Sequence, residues 1–103
     1  MRGLGKLLLG LLLGAGLVSC AGPKPYDDYA LAYVALRAAK DAEASRYSPG
    51  YWSKAERLYR DGQQAYKENS NERAKKFFIE SKKFAEKAEN VTRLKKFQSG
   101  GVP

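Results

Sequence analysis

ERAKKFFIESKKFAEKAENVTRLKKF, residues 72–97, decides the fold. Ala74, Phe77, Ser81, Phe84, Ala88 and Val91 recur here at alternating spacings of 3 and 4. That is the period of one helix face, so a single long helix is expected from about Glu72 to Phe97. Phe78, Ala85 and Thr92 flank the stripe and widen it. Glu72–Lys76 and Glu89–Arg93 are i,i+4 pairs in the favourable order. A basic-basic-aromatic unit also repeats, as Lys75-Lys76-Phe77, Lys82-Lys83-Phe84 and Lys95-Lys96-Phe97. The first two copies lie seven residues apart, which puts their Phe rings on the core face and their Lys pairs outside.

Just before this stretch, Asn69-Ser70-Asn71 is a polar turn, with Ser70 or Asn71 able to cap the helix. The preceding segment, Pro49 to about Glu68, has helical periodicity of its own. Trp52, Ala55, Tyr59, Gly62 and Tyr66 share one face at spacings of 3, 4, 3 and 4. Leu58 and Ala65 widen that face, and Glu56–Arg60 is an i,i+4 pair on another. Ser48 suits the N-cap and Pro49 the first helical position. Further back, Asp27 to about Arg46 holds seven Ala residues, the strongest helix former. Asp27 and Asp28 suit its cap and first turn. Ala32, Ala35, Ala39 and Ala42 make a narrow stripe that a neighbouring helix can approach closely. No segment alternates as a strand does. The expectation is an all-α domain, a small antiparallel helical hairpin or three-helix bundle, with the first helix folded back on the second.

The remaining segments concern address more than fold. Arg2 and Lys6 are the only charges before Lys24, and Leu7 to Val18 is apolar or Gly throughout. Such a run makes about 18 Å of helix, short of the roughly 20 residues a membrane span needs. It reads as the hydrophobic region of a secretory signal. It ends Leu17-Val18-Ser19-Cys20, which looks like a bacterial lipobox, and Cys20 is the lone Cys of the chain. The motif implies a thioether-linked diacylglycerol on Cys20, with the freed amine often acylated too, as by palmitate. Two or more chains anchor stably, at about 0.8 kcal/mol per buried CH₂. Ala21 follows, where an Asp would resemble the inner-membrane retention signal, so the outer membrane is expected. The expected organisation is a leader at 1–19, a lipidated tether at 20–26, a helical domain at 27–97 and a flexible tail at 98–103. The Pro- and Gly-containing tether reaches at most about 20 Å, which keeps the domain near the membrane.

Composition excludes several functions. The chain has 103 residues, no His and one Cys, with 19 Lys/Arg against 11 Asp/Glu. Without His, no Ser-His-Asp or Cys-His catalytic arrangement can form, nor the usual Cys/His zinc site. No phosphate loop or oxyanion loop is visible either, so a non-enzymatic protein without cofactor is expected. Losing Arg2 and Lys6 with the leader lowers the net charge from +8 to +6. Export argues against nucleic acid as the partner of that charge. The candidates are lipid headgroups, wall polymer or an acidic protein face.

Two resemblances extend this reading. Trp52, Leu58-Tyr59, Gly62, Tyr66, Ala74, Phe78 and Ala85 loosely resemble a tetratricopeptide repeat, which implies a helical hairpin. The lipobox at Cys20, the Ala ladder of the first helix, the Ser48-Pro49-x-Tyr51-Trp52-x-Lys54-Ala55-Glu56 motif and the closing Ala85-Glu86-Lys87-Ala88-Glu89 resemble the bacterial lipoprotein family known as domain of unknown function 4398. The likeness covers most of residues 20 to 90. It implies an envelope-associated helical protein and carries no established activity.

Trp52, Tyr59, Phe77 and Phe84 are therefore expected in the core or at an interaction face, with Trp52 central to the packing. Tyr26, Tyr29, Tyr33, Tyr47 and Tyr51 gather around the first helix and its turn, mainly as packing groups and alternatively as a stacking surface. Lys75, Lys76, Lys82 and Lys83 read first as the solvated back of a helix and second as a basic binding surface. The leading functional expectation is a periplasmic interaction or scaffolding module. It is anchored to membrane lipid through Cys20, has an envelope protein or peptidoglycan as partner, and is able to self-associate. The alternatives are a non-covalent peptidoglycan tether and an assembly factor of an envelope export complex. The end Gly101-Val102-Pro103 lacks the terminal Lys of a covalently wall-linked lipoprotein.

Overall fold

The computed structural model describes residues 22–100. The expected leader at 1–19, Cys20 and residues 101–103 of the expected tail lie outside the described residues. Four helices follow one another: α1 (Tyr26–Asp41), α2 (Ala44–Tyr47), α3 (Pro49–Lys67) and α4 (Asn71–Gln98). The described residues contain no strand, and the fold is all-α, with the helices packed against one another.

The two long segments fold where their periodicity places them. Pro49 opens α3 at its first position, after Ser48 at the N-cap, although the Ser48 hydroxyl makes no capping bond. The α3–α4 turn closes with Asn69 in the left-handed region at φ 59°, and Ser70 N–H donates to the Ala65 carbonyl at 2.9 Å. That bond, with one from Asn69 N–H to the Tyr66 carbonyl at 3.2 Å, satisfies carbonyls that the end of α3 would otherwise leave orphaned.

The first segment departs from expectation. It does not run unbroken to Arg46. α1 stops at Asp41, Glu43 takes a left-handed φ of 70°, and the single turn α2 carries the chain into α3. Ala42 and Ala44 are both buried at this corner. Side chains this small let the turn close against the bundle. Asp27 and Asp28 lie in the first turn of α1 beyond an N-cap at Pro25, so they serve the helix dipole and not the cap.

A second departure is the choice of partner for α1. It packs chiefly on α4 and meets α3 only lightly. The long helix α4 is thus the centre of the bundle, with α1 and α3 on its two flanks. Its buried positions are Asn71, Ala74, Phe78, Ser81, Ala85, Ala88 and Thr92. The seam is therefore rotated by part of a turn from the stripe through Phe77, Phe84 and Val91. Those three residues are half-buried shoulders on the α3 side. The reason is geometric. The strip of α4 held between two helices at once must be narrow, and small side chains permit the closest approach. Larger rings fit at the edges, where only one neighbour presses on them; the exception is Phe78, which enters the seam opposite Gly62.

The seam has two layers. Ala39, Ala44, Ala55, Ala85 and Ala88 form one, covered by Leu36, Trp52 and Phe84. Ala32, Ala65, Ala74 and Phe78 form the other, covered by Tyr29, Tyr59, Tyr66 and Phe77. Phe78 is fully buried, worth about 1.5–3 kcal/mol of transfer. Its ring stacks on Tyr29 at 4.4 Å and tilts against Tyr59 at 5.8 Å. Gly62 makes this layer possible, because a Cβ there would come within 2.7 Å of the Phe78 ring. Between the layers, Ser81 Oγ donates to the Ala55 carbonyl at 2.7 Å and ties α4 to α3.

Candidate partner groove and tether strap

With α1 and α3 both committed to α4, a groove of about 500 Å³ opens between them on the side away from α4. Half-buried Leu36, Trp52 and Tyr59 form its floor. Tyr33, Arg37, Lys40 and Asp41 rise from α1 on one rim. Glu56 and Arg60 rise from α3 on the other. Arg37 Nη1 donates to the Tyr33 hydroxyl at 3.2 Å, which with the nearby Asp41 carboxylate raises the guanidinium's pKa above its ordinary value. The Tyr59 hydroxyl is pushed up to about 12, first by burial and then by the neighbouring Tyr29. The groove thus offers an aromatic floor between rims that carry three cations and two anions.

A second construction lies where the expected tether meets the α3–α4 turn. Residues 22–25 are not helical, but they are strapped to the α3–α4 turn. Lys24 Nζ donates to the Tyr66 carbonyl at 3.0 Å and to Asn69 Oδ1 at 2.7 Å, and sits 4.2 Å from the Tyr66 ring centroid. Asn71 Nδ2 donates to the Gly22 carbonyl at 2.9 Å. Pro25 is buried. The expected tether at 20–26 is therefore shorter, because from Gly22 onward it belongs to the folded domain.

The residues singled out by sequence separate into several places. Trp52 and Tyr59 meet in the groove floor. Phe77 lies over the Phe78 layer, with the Arg73 guanidinium 5.9 Å from its ring. Phe84 stacks on Tyr51 with ring centroids 6.3 Å apart, and Lys54 Nζ sits 4.2 Å from its centroid. Lys75, Lys76 and Lys83 are exposed. Lys82 is half-buried toward α1 and pairs with Glu86 at 3.6 Å. The Tyr residues do not make one surface. Tyr26 and Tyr29 join Tyr59 and Tyr66 near the start of α1, whereas Tyr47 and Tyr51 lie at the other end of the bundle. Arg37 and Lys40 were not singled out by sequence, and Arg60 only as the i,i+4 partner of Glu56. The signal for the first two is a Tyr33-Arg37-Lys40 spacing of 4 and 3 on α1, legible only once α3 is known to lie opposite.

Among the described residues, no group of three or more His, Cys, Asp or Glu gathers in a way that could hold a metal. No described helix is long and apolar enough to cross a membrane. No family model matches the chain, and neither a curated protein nor a solved structure shows significant similarity to it.

Proposed function

We propose that the chain is a non-enzymatic, lipid-anchored interaction module of the outer membrane, facing the periplasm, and that its α1–α3 groove receives an amphipathic helical segment of an envelope protein with acidic residues along its flanks. The observation that carries this reading is the place of the groove. α1 and α3 each pack on α4 and leave open between them, on the side away from α4, the position that a fourth helix occupies in a four-helix bundle. Leu36, Trp52 and Tyr59 suit an apolar helix face, and Arg37, Lys40 and Arg60 suit acids beside it. The anchor is Cys20, through its lipobox, and Ala21 supports the outer membrane. The likeness of the motifs to the domain of unknown function 4398 lipoproteins belongs to the same proposal.

Photo-crosslinking in living cells tests it. The probe amino acid replaces Tyr33 or Glu56 in the groove, and Lys83 or Lys87 on the back of α4. The expected result is one recurrent protein adduct from the groove positions, absent from the back, with the captured peptide acidic and helical. Capture of peptidoglycan fragments from the groove would move the reading to a wall tether. Equal capture from both faces would remove the groove as the site.

A further inference from the structure

The strapped end of the bundle has a consequence of its own. Gly22, fixed by Asn71, is only two residues from Cys20. Two extended residues span about 7 Å. Whatever holds Cys20 therefore also holds the α3–α4 turn. Lys24 keeps that relation rigid, because it is bonded at once to Tyr66 and Asn69. The exposed groups around this end are polar or amphipathic. They include Lys67 and Glu68 at the end of α3, Glu72 at the start of α4, and Tyr26, which is 67% exposed with its ring edge-on to Tyr66. A Tyr ring with a polar tip suits the headgroup region of a bilayer.

We infer that the α3–α4 turn is a bilayer-docking surface: it rests on phospholipid headgroups beside the lipidated Cys20, and the Lys24 strap holds the bundle upright on it. This inference rests on the anchoring part of the proposed function. It adds an orientation and a height. With α3 rising from the turn at ~1.5 Å per residue, Tyr59 stands ~12 Å and Trp52 ~22 Å above the end of α3. The groove is then presented at a fixed distance from the membrane and does not swing on a loose leash. Its partner must reach that height.

The test uses the full chain purified with its lipid from cell envelopes and placed in phosphatidylethanolamine–phosphatidylglycerol vesicles. With Cys20 blocked as a thioether, Glu68→Cys at the turn or Ser45→Cys at the far end supplies a single thiol for a fluorescent label. A nitroxide quencher on lipid headgroups should quench the label at 68 several-fold more than the label at 45. Lys24→Ala should reduce that contrast while the helical circular dichroism and the lipid mass stay unchanged. Equal quenching at 68 and 45 in a lipidated chain would overturn the docking surface alone. Full contrast retained in Lys24→Ala would overturn the role of the strap. An intact mass without lipid would overturn the anchoring reading, and the docking surface with it.

Discussion

Gly62 and Phe78 are a fitted pair. The missing Cβ at 62 is the space that the Phe78 ring fills, and the ring cannot swing away because Tyr29 and Tyr59 hold its other sides. Gly62→Ala should therefore destabilise the domain by about 1–3 kcal/mol by overpacking, in spite of the better helix propensity of Ala. Gly50 is the control. A Cβ there meets nothing within 4 Å, so Gly50→Ala should cost no stability in the same urea titration. Tyr59 predicts a pH dependence. Its hydroxyl ionises near 10.0 when unfolded and at about 12 when folded. The neutral form is the one that the fold favours, so this stability is fully present below pH 10 and is lost as pH rises toward 12. Urea midpoints measured across that window should fall with pH, and should fall less in Tyr59→Phe. The periodicity of α3 made Gly62 and Tyr59 legible as members of one face. It could not show that Phe78, one residue from the expected Phe77, was the ring that Gly62 admits. Adjacent positions on a helix differ by only about 100°, and the two flanking helices, not the stripe itself, decide which side is buried.

Among the elements, α3 and α4 lie close to where their stop and start signals place them, because Pro49 and the Asn69-Ser70-Asn71 turn act locally. The break between α1 and α2 had no such signal. Ala42, Glu43 and Ala44 are good helix formers, and the left-handed Glu43 is imposed by the need to turn the chain from the flank of α4 into α3. A non-Gly residue in that region costs roughly 1–2 kcal/mol. Glu43→Gly should therefore stabilise the domain, by up to about 1 kcal/mol, since the Glu43–Lys96 contact it removes is a partly exposed 3.9 Å pair of little worth. Thermal unfolding checks the sign. A loss of stability would show that α2 is held by that pair and not strained at residue 43. The pairing of α1 with α4 was equally hidden, because an Ala stripe fits any close neighbour and does not name one.

At the scale of the whole molecule, the proposed address is read from a local motif at Cys20, and the surfaces were only partly legible in the sequence. The proposed anchor is read from neighbouring residues alone, in the lipobox-like motif that ends at Cys20. The groove and the strap depend on contacts between residues far apart in the chain. Lys24 meets Asn69, and Arg37 faces Arg60 across the gap. No period or spacing within one segment reports such pairs. Both surfaces take their meaning from the anchor, since the groove has a height above the bilayer only if Cys20 carries lipid. The most direct measurement is therefore the intact mass and N-terminal residue of the chain isolated from envelopes, beside Cys20→Ser. Expected is a wild-type chain that begins at Cys20 and carries diacylglycerol with or without a further acyl group, and a Cys20→Ser chain left as the uncleaved precursor. A wild-type chain cut elsewhere and free of lipid, or a Cys20→Ser chain processed normally, would contradict the anchor and every position argued from it.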